Sequence, residues 1–293
     1  MRKAQSIAAR KEQHWAWLMV APTIIGLLVL NYYPLIETFI LSFSKTKTFG
    51  ASTFNGIDNY IQMFQSPEFW KATWNTILFC ILTVPVGIIL ALLVALLLNA
   101  KVKFKGGFRA IYFLPMVCAP AAIAMVWRWM FNGEYGIINQ ILGTKISWLT
   151  DPKTAIVACA IVAIWSSIGY DAVLLLSGLQ NISKSYYEAA RIDGAGRIKQ
   201  FFSITLPMIS PQLFFLLITI TISSFKVFDV VRVMTDGGPG NATDVLVTYI
   251  YRYAFQMNAR VGYASAAGTV LLVILMILTY FYFRVLSKRV HYQ

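Results

Sequence analysis

The sequence predicts an all-α polytopic membrane protein with six transmembrane helices and both termini in the cytoplasm. Three observations lead there. Six charge-free apolar runs divide the chain, at Gln13–Ile36, Ala72–Ala100, Ala110–Trp127, Thr154–Tyr170 continuing past Asp171 to Ser183, Gln200–Phe225 and Val261–Phe283. Charged residues make up only 13% of the chain against 58% hydrophobic, with a mean hydropathy of +0.65, whereas a soluble domain carries roughly 25% charged residues. The basic residues are also unevenly distributed between the segments that join the runs.

Each run is judged against the roughly 20 helical residues needed to cross the hydrocarbon. The first follows a basic stretch and superficially resembles a signal peptide. It exceeds an ordinary h-region and lacks a convincing small-x-small cleavage site, so it reads as an uncleaved first span. The second is apolar on every side over Leu90–Leu98, which excludes the alternation of an outer-membrane barrel. The fourth reaches full length only if Asp171 is tolerated. Prolines 22, 34, 85, 115 and 120 fall within the runs and are expected to kink helices whose freed carbonyls find partners in a bundle. The chain then divides into an N-terminal tail over 1–14, a first transmembrane helix over 15–41, a core of five transmembrane helices over 72–286 and a C-terminal tail over 287–293. The first outer loop, about Ser42–Lys71, has room for only a small element.

The formal charge of +13 would suggest nucleic acid in a soluble protein. With the N-terminus inside, the inner segments hold Arg2, Lys3, Arg10, Lys11, Lys101, Lys103, Lys105, Arg109, Lys184, Arg191, Arg197, Lys199, Arg284, Lys288 and Arg289, opposed only by Glu12, Glu188 and Asp193. The rest of the chain is nearly neutral. This is the positive-inside pattern: the charge orients the chain in a lipid bilayer, and nucleic acid is not an expected partner.

Enzymatic motifs are missing. There is no phosphate loop, no H-E-x-x-H, no C-x-x-C and no G-x-S-x-G, so neither ATP hydrolysis nor metal or nucleophilic catalysis is expected here. No catalytic residue and no metal ligand is assigned. His14 and His291 lie in the basic flanks, and Cys80, Cys118 and Cys159 read as packing residues within spans.

The segment Ser185–Pro207 is the most informative. Ser185 and Glu188 have capping-box spacing, which would start a helix at Tyr186. Ala189 and Ala190 leave that helix with minimal side chains, and Gly194 permits a left-handed stop. A second amphipathic stretch runs from Arg197 to Leu206, and Pro207 is expected to separate it from the fifth span. On these residues alone the product is a membrane-surface elbow or a docking site.

Glu188-Ala189-Ala190, Gly194 and Ile204-x-Leu206-Pro207 match the EAA signature and resemble the permeases of binding-protein-dependent ABC importers. The form Tyr187-Glu-Ala-Ala-Arg-Ile-Asp-Gly-Ala195 resembles their carbohydrate-uptake branch. So do Ala21-Pro22-Thr23, Tyr33-Pro34-Leu35, Gly56-Ile57-Asp58-Asn59-Tyr60, Asn75-Thr76, Phe131-Asn132 with Tyr135-Gly136, and Gly237-Gly238-Pro239-Gly240. The chain is similar to the first-subunit type of maltose permease without its extra N-terminal spans. The resemblance implies an ABC importer type I permease fold in the bacterial plasma (inner) membrane. It implies a sugar or oligosaccharide as solute, with glycerol phosphate in the same architecture as the near alternative and an ion-coupled secondary carrier as the distant one. Its implied partners are a second homologous permease, two cytoplasmic ATPase subunits and an extracellular solute-binding protein. ATP and Mg would be bound by the ATPases, with no cofactor in this chain. Tyr187, Glu188, Ala189, Ala190, Asp193 and Gly194, within a cytoplasmic loop at 184–207, would couple to the ATPase.

A solute passage needs polar residues within spans. Ser166, Ser167, Tyr170 and Asp171 cluster in the fourth span, and Ser223, Ser224, Lys226 and Asp229 at the end of the fifth. Related sugar permeases place solute between the corresponding helices, which implicates Ser167, Tyr170, Asp171, Ser224, Lys226 and Asp229. Against this, Lys226 and Asp229 could pair along one helix face, Asp171 could bond within the bundle, and span serines can join helices. Arg128 and Glu37 are expected to snorkel. The loop Val231–Arg260 is expected either to meet the binding protein or to pack on its own bundle.

Overall fold

Helices account for most of the chain, and their ends are set by prolines, glycines and changes of polarity. The computed structural model describes residues 2–46, 52–100, 105–257 and 259–286. Lys101, Lys103, Lys288, Arg289 and the tail over 287–293 lie outside the described residues. Four helices are long and apolar enough to cross a membrane, and six spans result if each of two bent helix pairs counts as one.

The chain forms two compact units, the first comprising residues 1–63 and 253–269. In it α1 (Arg2–Leu27) continues through a π turn at Leu28–Tyr32 into α2 (Tyr33–Leu41), so the segment expected as an N-terminal tail is helical and continuous with the first span. Leu18, Met19, Leu30 and Phe39 are all exposed; an apolar helix exposed on every side requires surroundings other than water. The small element expected in the first loop is a two-residue antiparallel pair, β1 (Ser44–Lys45) and β2 (Thr53–Phe54), with Ser44 opposite Phe54, followed by α3 (Asp58–Gln65). The Gly56-to-Tyr60 motif has a local physical cause. Gly56 takes φ +60°, which glycine adopts without steric cost. Buried Asn59 donates to the Ser42 and Ser44 carbonyls at 2.8 and 2.9 Å, and Tyr60 bonds the Ser42 hydroxyl at 2.7 Å. The backbone of Ser44 also lies directly against Gly262, where a Cβ would collide with its carbonyl.

The second unit comprises 64–252 and 270–293. Its frame is α4 (Pro67–Asn99), which begins ahead of the expected Ala72 and is not broken by Pro85. Next come α5 (Lys105–Val117) and α6 (Pro120–Met130), bent by 114°. The third span is therefore not one straight helix. Ala119 precedes Pro120 and is extended at φ −61°, ψ 130°, as the proline ring demands of its predecessor; Pro120 then starts the new helix. Cys118 sits at the break and is exposed, unlike buried Cys159, so it does not pack in the core. A short α7 (Ile137–Leu142) leads to α8 (Ala155–Asn181), which packs along α4. Small buried residues, among them Ala91, Ala95, Ala158 and Ala172, permit that close approach. At Gly169 the α5 backbone lies so near that a Cβ would overlap the Tyr112 carbonyl.

After α9 (Lys184–Ile192), the fifth span is again a bent pair. Its first part runs through α10 (Arg197–Gln200), a π turn at Phe201–Thr205 and α11 (Leu206–Met208); its second part is α12 (Ser210–Phe225), turned by 67°. Pro207 does not make the break. It lies in the first turn of α11, a position where proline is tolerated, and the chain turns two residues later at fully buried Ile209. The unit continues with α13 (Asp229–Met234) and α14 (Leu246–Tyr251). Helix α15 (Val261–Val285) belongs to the first unit up to Thr269 and to the second beyond it.

Candidate functional site

Helix α9 is capped by Ser183, whose hydroxyl accepts from the Ser185 N–H, and it begins at Lys184. The cap is therefore two residues upstream of the expected Ser185, which lies inside the helix and bonds the Ser183 hydroxyl at 2.8 Å. Only Ser183 has the extended backbone, φ −63° and ψ 137°, that aims a cap side chain at free N–H groups. The stop is as the sequence indicates. Gly194 takes φ +74°, and Ala195 N–H returns to the Ala190 carbonyl at 2.8 Å, in the manner of a left-handed C-terminal motif.

Two bonds fix this helix and the turn after it on the elements behind. The Tyr187 hydroxyl meets Thr205 Oγ1 at 2.9 Å, and buried Gln200 donates to the Ala195 carbonyl at 2.7 Å. Tyr187 and Ile204 pack against the apolar cluster of Leu98, Leu175, Leu179 and Ile182. The opposite side is open: Glu188, Ala189, Asp193 and Gly194 are exposed and Ala190 is half-buried. Around them Ile192 is 88% exposed and Ile198 77%, with Tyr186 and Phe202 also exposed. A rigid helix ringed by exposed apolar side chains has the character of an interaction surface.

A second feature lies between α4, α8 and α12, a cavity of about 190 Å³. Ser167, Tyr170, Asp171 and Ser224 all line it, together with Ser223, Thr83 and the apolar Phe79 and Ile220. Ser224 is buried and bonds Thr83 Oγ1 at 2.7 Å, so it also joins two helices. Asp171 is only 4% exposed and has Ser167 as a hydrogen-bonding neighbour, while its Oδ2 has no partner among the described residues. Thr83 has no periodic signal in the sequence, being isolated among apolar residues; its place in the cavity wall and its bond to Ser224 mark it.

Lys226 and Asp229 are not in this cavity. Lys226 caps the C-terminus of α12, and Asp229 opens α13 beyond a break at Phe228, whose backbone sits at φ −138°, ψ −64°. Both are exposed. Helical i,i+3 pairing requires one continuous helix, and no Lys226–Asp229 ion pair forms among the described residues.

The segment Val231–Arg252 packs on its own bundle. Asn75 donates to the carbonyls of Asn241 and Asp244, both at 2.9 Å, and Thr76 Oγ1 receives the Leu246 N–H at 2.9 Å. Arg252 pairs with Asp244 at 2.6 Å and Glu68 at 3.3 Å, and Tyr249 is fully buried. Burial holds the Asp244 carboxyl above its ordinary 3.8, outweighing the Thr248 hydroxyl bond and the Arg252 guanidinium, which act the other way. Arg128, expected to snorkel, donates to the Val233 carbonyl at 3.2 Å.

Bent and straight apolar helices around a small cavity with hydroxyls and one carboxyl in its wall, and a braced helix in a connecting loop, are the parts of a membrane permease. Residues 83–292 match the family described as the binding-protein-dependent transport system inner membrane component, and the chain belongs to that family. It is 36% identical to the sulfoquinovosyl glycerol transport system permease protein of Agrobacterium fabrum, over 94% of this chain and 91% of that one. It is 35% identical to the lactose transport system permease protein of Rhizobium radiobacter, over 93% and 94%. Among solved structures it resembles a chain of a bacterial ABC transporter involved in the import of the acidic polysaccharide alginate. That match has a TM-score of 0.80 at 28% identity and covers 97% of this chain and 99% of the other. The fold is that of an ABC importer permease.

Proposed function

We propose that this chain forms half of the translocation pathway of an ATP-driven importer for a sugar or oligosaccharide. It pairs with a second homologous permease, receives solute from an extracellular binding protein and couples to cytoplasmic ATPases through α9. The observation that carries this reading is the mounting of α9: braced from behind by Tyr187–Thr205 and Gln200, it leaves Glu188, Ala189 and the Gly194 stop facing outward. A helix so held moves as a rigid knob, so a shift imposed on it is passed through Thr205 to α12 and the cavity. Fifteen basic residues in the inner segments support a cytoplasmic side for α9 and both termini. ATP and Mg belong to the ATPases, and this chain performs the movement without chemistry of its own. The named solutes of its relatives support the sugar class.

Reconstitution into vesicles tests the reading. The chain with its permease partner, ATPases and binding protein should accumulate labelled sugar only when ATP is supplied. Accumulation by the chain alone, driven by an ion gradient, would establish an ion-coupled carrier instead and overturn the proposal.

A further inference from the structure

The relatives of this chain serve different classes of solute: one is named for lactose, and a neighbour imports an acidic polysaccharide. The common fold therefore leaves the charge of the solute to be decided by side chains. In this chain the cavity residues carry one formal charge, the carboxylate of Asp171. The nearest cation of the fifth span, Lys226, is exposed and does not line the cavity.

Much of the polar lining is already paired. Thr83 and Ser224 bond each other, and the Ser167 hydroxyl donates to the Ile164 carbonyl. The buried polar atom left over is an acceptor, Asp171 Oδ2, without a partner among the described residues. A buried carboxylate oxygen without a partner is costly, and the group that relieves it must donate a hydrogen bond. Charges in such a site are little screened by salt or water, so an anion placed there meets repulsion with no compensating cation. Phe79, Ile164 and Ile220 in the same lining are apolar and suit the carbon face of a sugar ring. About 190 Å³ lies below the roughly 300–1,000 Å³ of pockets for drug-sized ligands, which fits one ring at a time.

From this arrangement we infer that Asp171 is a specificity-determining residue. It accepts a hydrogen bond from a solute hydroxyl and makes the passage select neutral sugars over uronates and phosphorylated or sulfonated sugars. The inference rests on the sugar-permease reading above, and it argues against glycerol phosphate as the solute.

The test uses the assembled permease–ATPase complex in nanodiscs, without binding protein, so that selectivity belongs to the membrane part. Saturation-transfer NMR measures affinity for matched neutral and uronate monosaccharides of the gluco, galacto and manno series. The wild-type complex should prefer the neutral member of a bound pair by tenfold or more, about 1.4 kcal/mol. Asp171→Asn should narrow the gap to about threefold or less, the neutral sugar still binding, and Asp171→Glu should retain the preference. Equal wild-type affinity for neutral and uronate members overturns the inference even if Asp171→Asn fails to assemble. So does an Asp171→Asn complex in which both affinities fall together, which would mark a purely structural carboxylate. Binding of no sugar in any series would instead remove the sugar reading on which the inference stands.

Discussion

Replacing Gly169 by alanine probes a close backbone approach between α5 and α8. A Cβ built at Gly169 overlaps the Tyr112 carbonyl oxygen and lies 2.6 Å from its carbonyl carbon. Carbon atoms rest at about 3.5–4.0 Å, so α5 and α8 would have to part by about 1 Å. The atoms in the way are backbone, and no rotamer change removes them. Overpacking of this kind costs about 1–3 kcal/mol, set against a gain of about 1 kcal/mol from the better helix propensity of alanine. The overlap wins, because parting the helices also disturbs Tyr170 and Asp171 next in the chain and loosens contacts along α8. Gly268→Ala is the control: it too lies inside a helix, but nothing approaches its added Cβ within 4 Å. Thermal melting of the detergent-purified subunit should show Gly169→Ala clearly below wild type and Gly268→Ala at or slightly above it. Reconstituted Gly169→Ala should transport poorly even at temperatures where it is folded. Equal melting temperatures for the two variants, with transport intact, would refute the close approach and the packing argument built on it.

Three further outcomes are expected. Glu188→Lys and Gly194→Asp should leave membrane insertion and melting nearly unchanged, since Glu188 is exposed and nothing lies within 4 Å of an added Cβ at Gly194; the left-handed backbone costs Gly194→Asp about 1–2 kcal/mol at most. ATPase assays on the assembled importer should nonetheless show hydrolysis uncoupled from uptake, and unchanged uptake in both variants counts against α9 as the coupling helix. Tyr170→Ala should raise the apparent KM for solute roughly tenfold, the ~1.4 kcal/mol of one lost aromatic contact, at unchanged assembly; a wild-type KM would remove Tyr170 from the pathway. The Asp244 carboxyl titrates above 3.8 in the folded chain because it is buried, so the folded state takes up its proton first. The penalty of the buried charge is present above the folded value and is relieved as pH falls through it toward 3.8. Wild-type stability relative to Asp244→Asn should therefore rise on acidification, and a difference independent of pH would contradict the sign.

What the sequence made legible follows the range of each interaction. The six apolar runs and the left-handed stop at Gly194 depend on composition and on one residue's backbone freedom, and both are local. The cap of α9 is local too, yet it falls at Ser183, two residues before the serine that the spacing marks. Ser183 and Ser185 are chemically equivalent, and the choice between them rests on which has the extended backbone, a property set by where α8 ends at Asn181. The bends are intermediate cases. Pro120 signals a break, but the 114° angle depends on α5 lying against Gly169, far away in sequence. Pro207 misled because a proline two residues before a turn looks the same in sequence as one that makes it. Lys226 and Asp229 misled for a related reason: i,i+3 spacing implies proximity only if the helix continues between them, and it stops at Phe225.

The residues that resemble the permease family separate into two physical classes, and the separation locates function better than the resemblance does. Gly56, Asn59, Asn75 and Thr76 are all consumed inside the chain. Gly56 supplies a positive φ, Asn59 binds two carbonyls of its own loop, Asn75 holds the Asn241 and Asp244 carbonyls and Thr76 takes the Leu246 N–H. Each would be required by the fold whether or not anything were transported. Glu188 and Ala189 belong to the other class. Their surroundings are well ordered by the Ser183 cap and the Tyr187 brace, yet they are exposed and the Glu188 carboxylate has no hydrogen bond among the described residues. Asp171 Oδ2 is the buried counterpart, held in place by its helix and without a donor among the described residues. Side chains that the fold positions but does not use are the places where something outside the chain must complete the structure. At α9 what is offered is an exposed apolar ring of Tyr186, Ile192, Ile198 and Phe202, the character of a surface that meets another macromolecule. At Asp171 what is offered is a single buried acceptor in a cavity of about 190 Å³, so the two sites differ in both size and chemistry and call for different occupants.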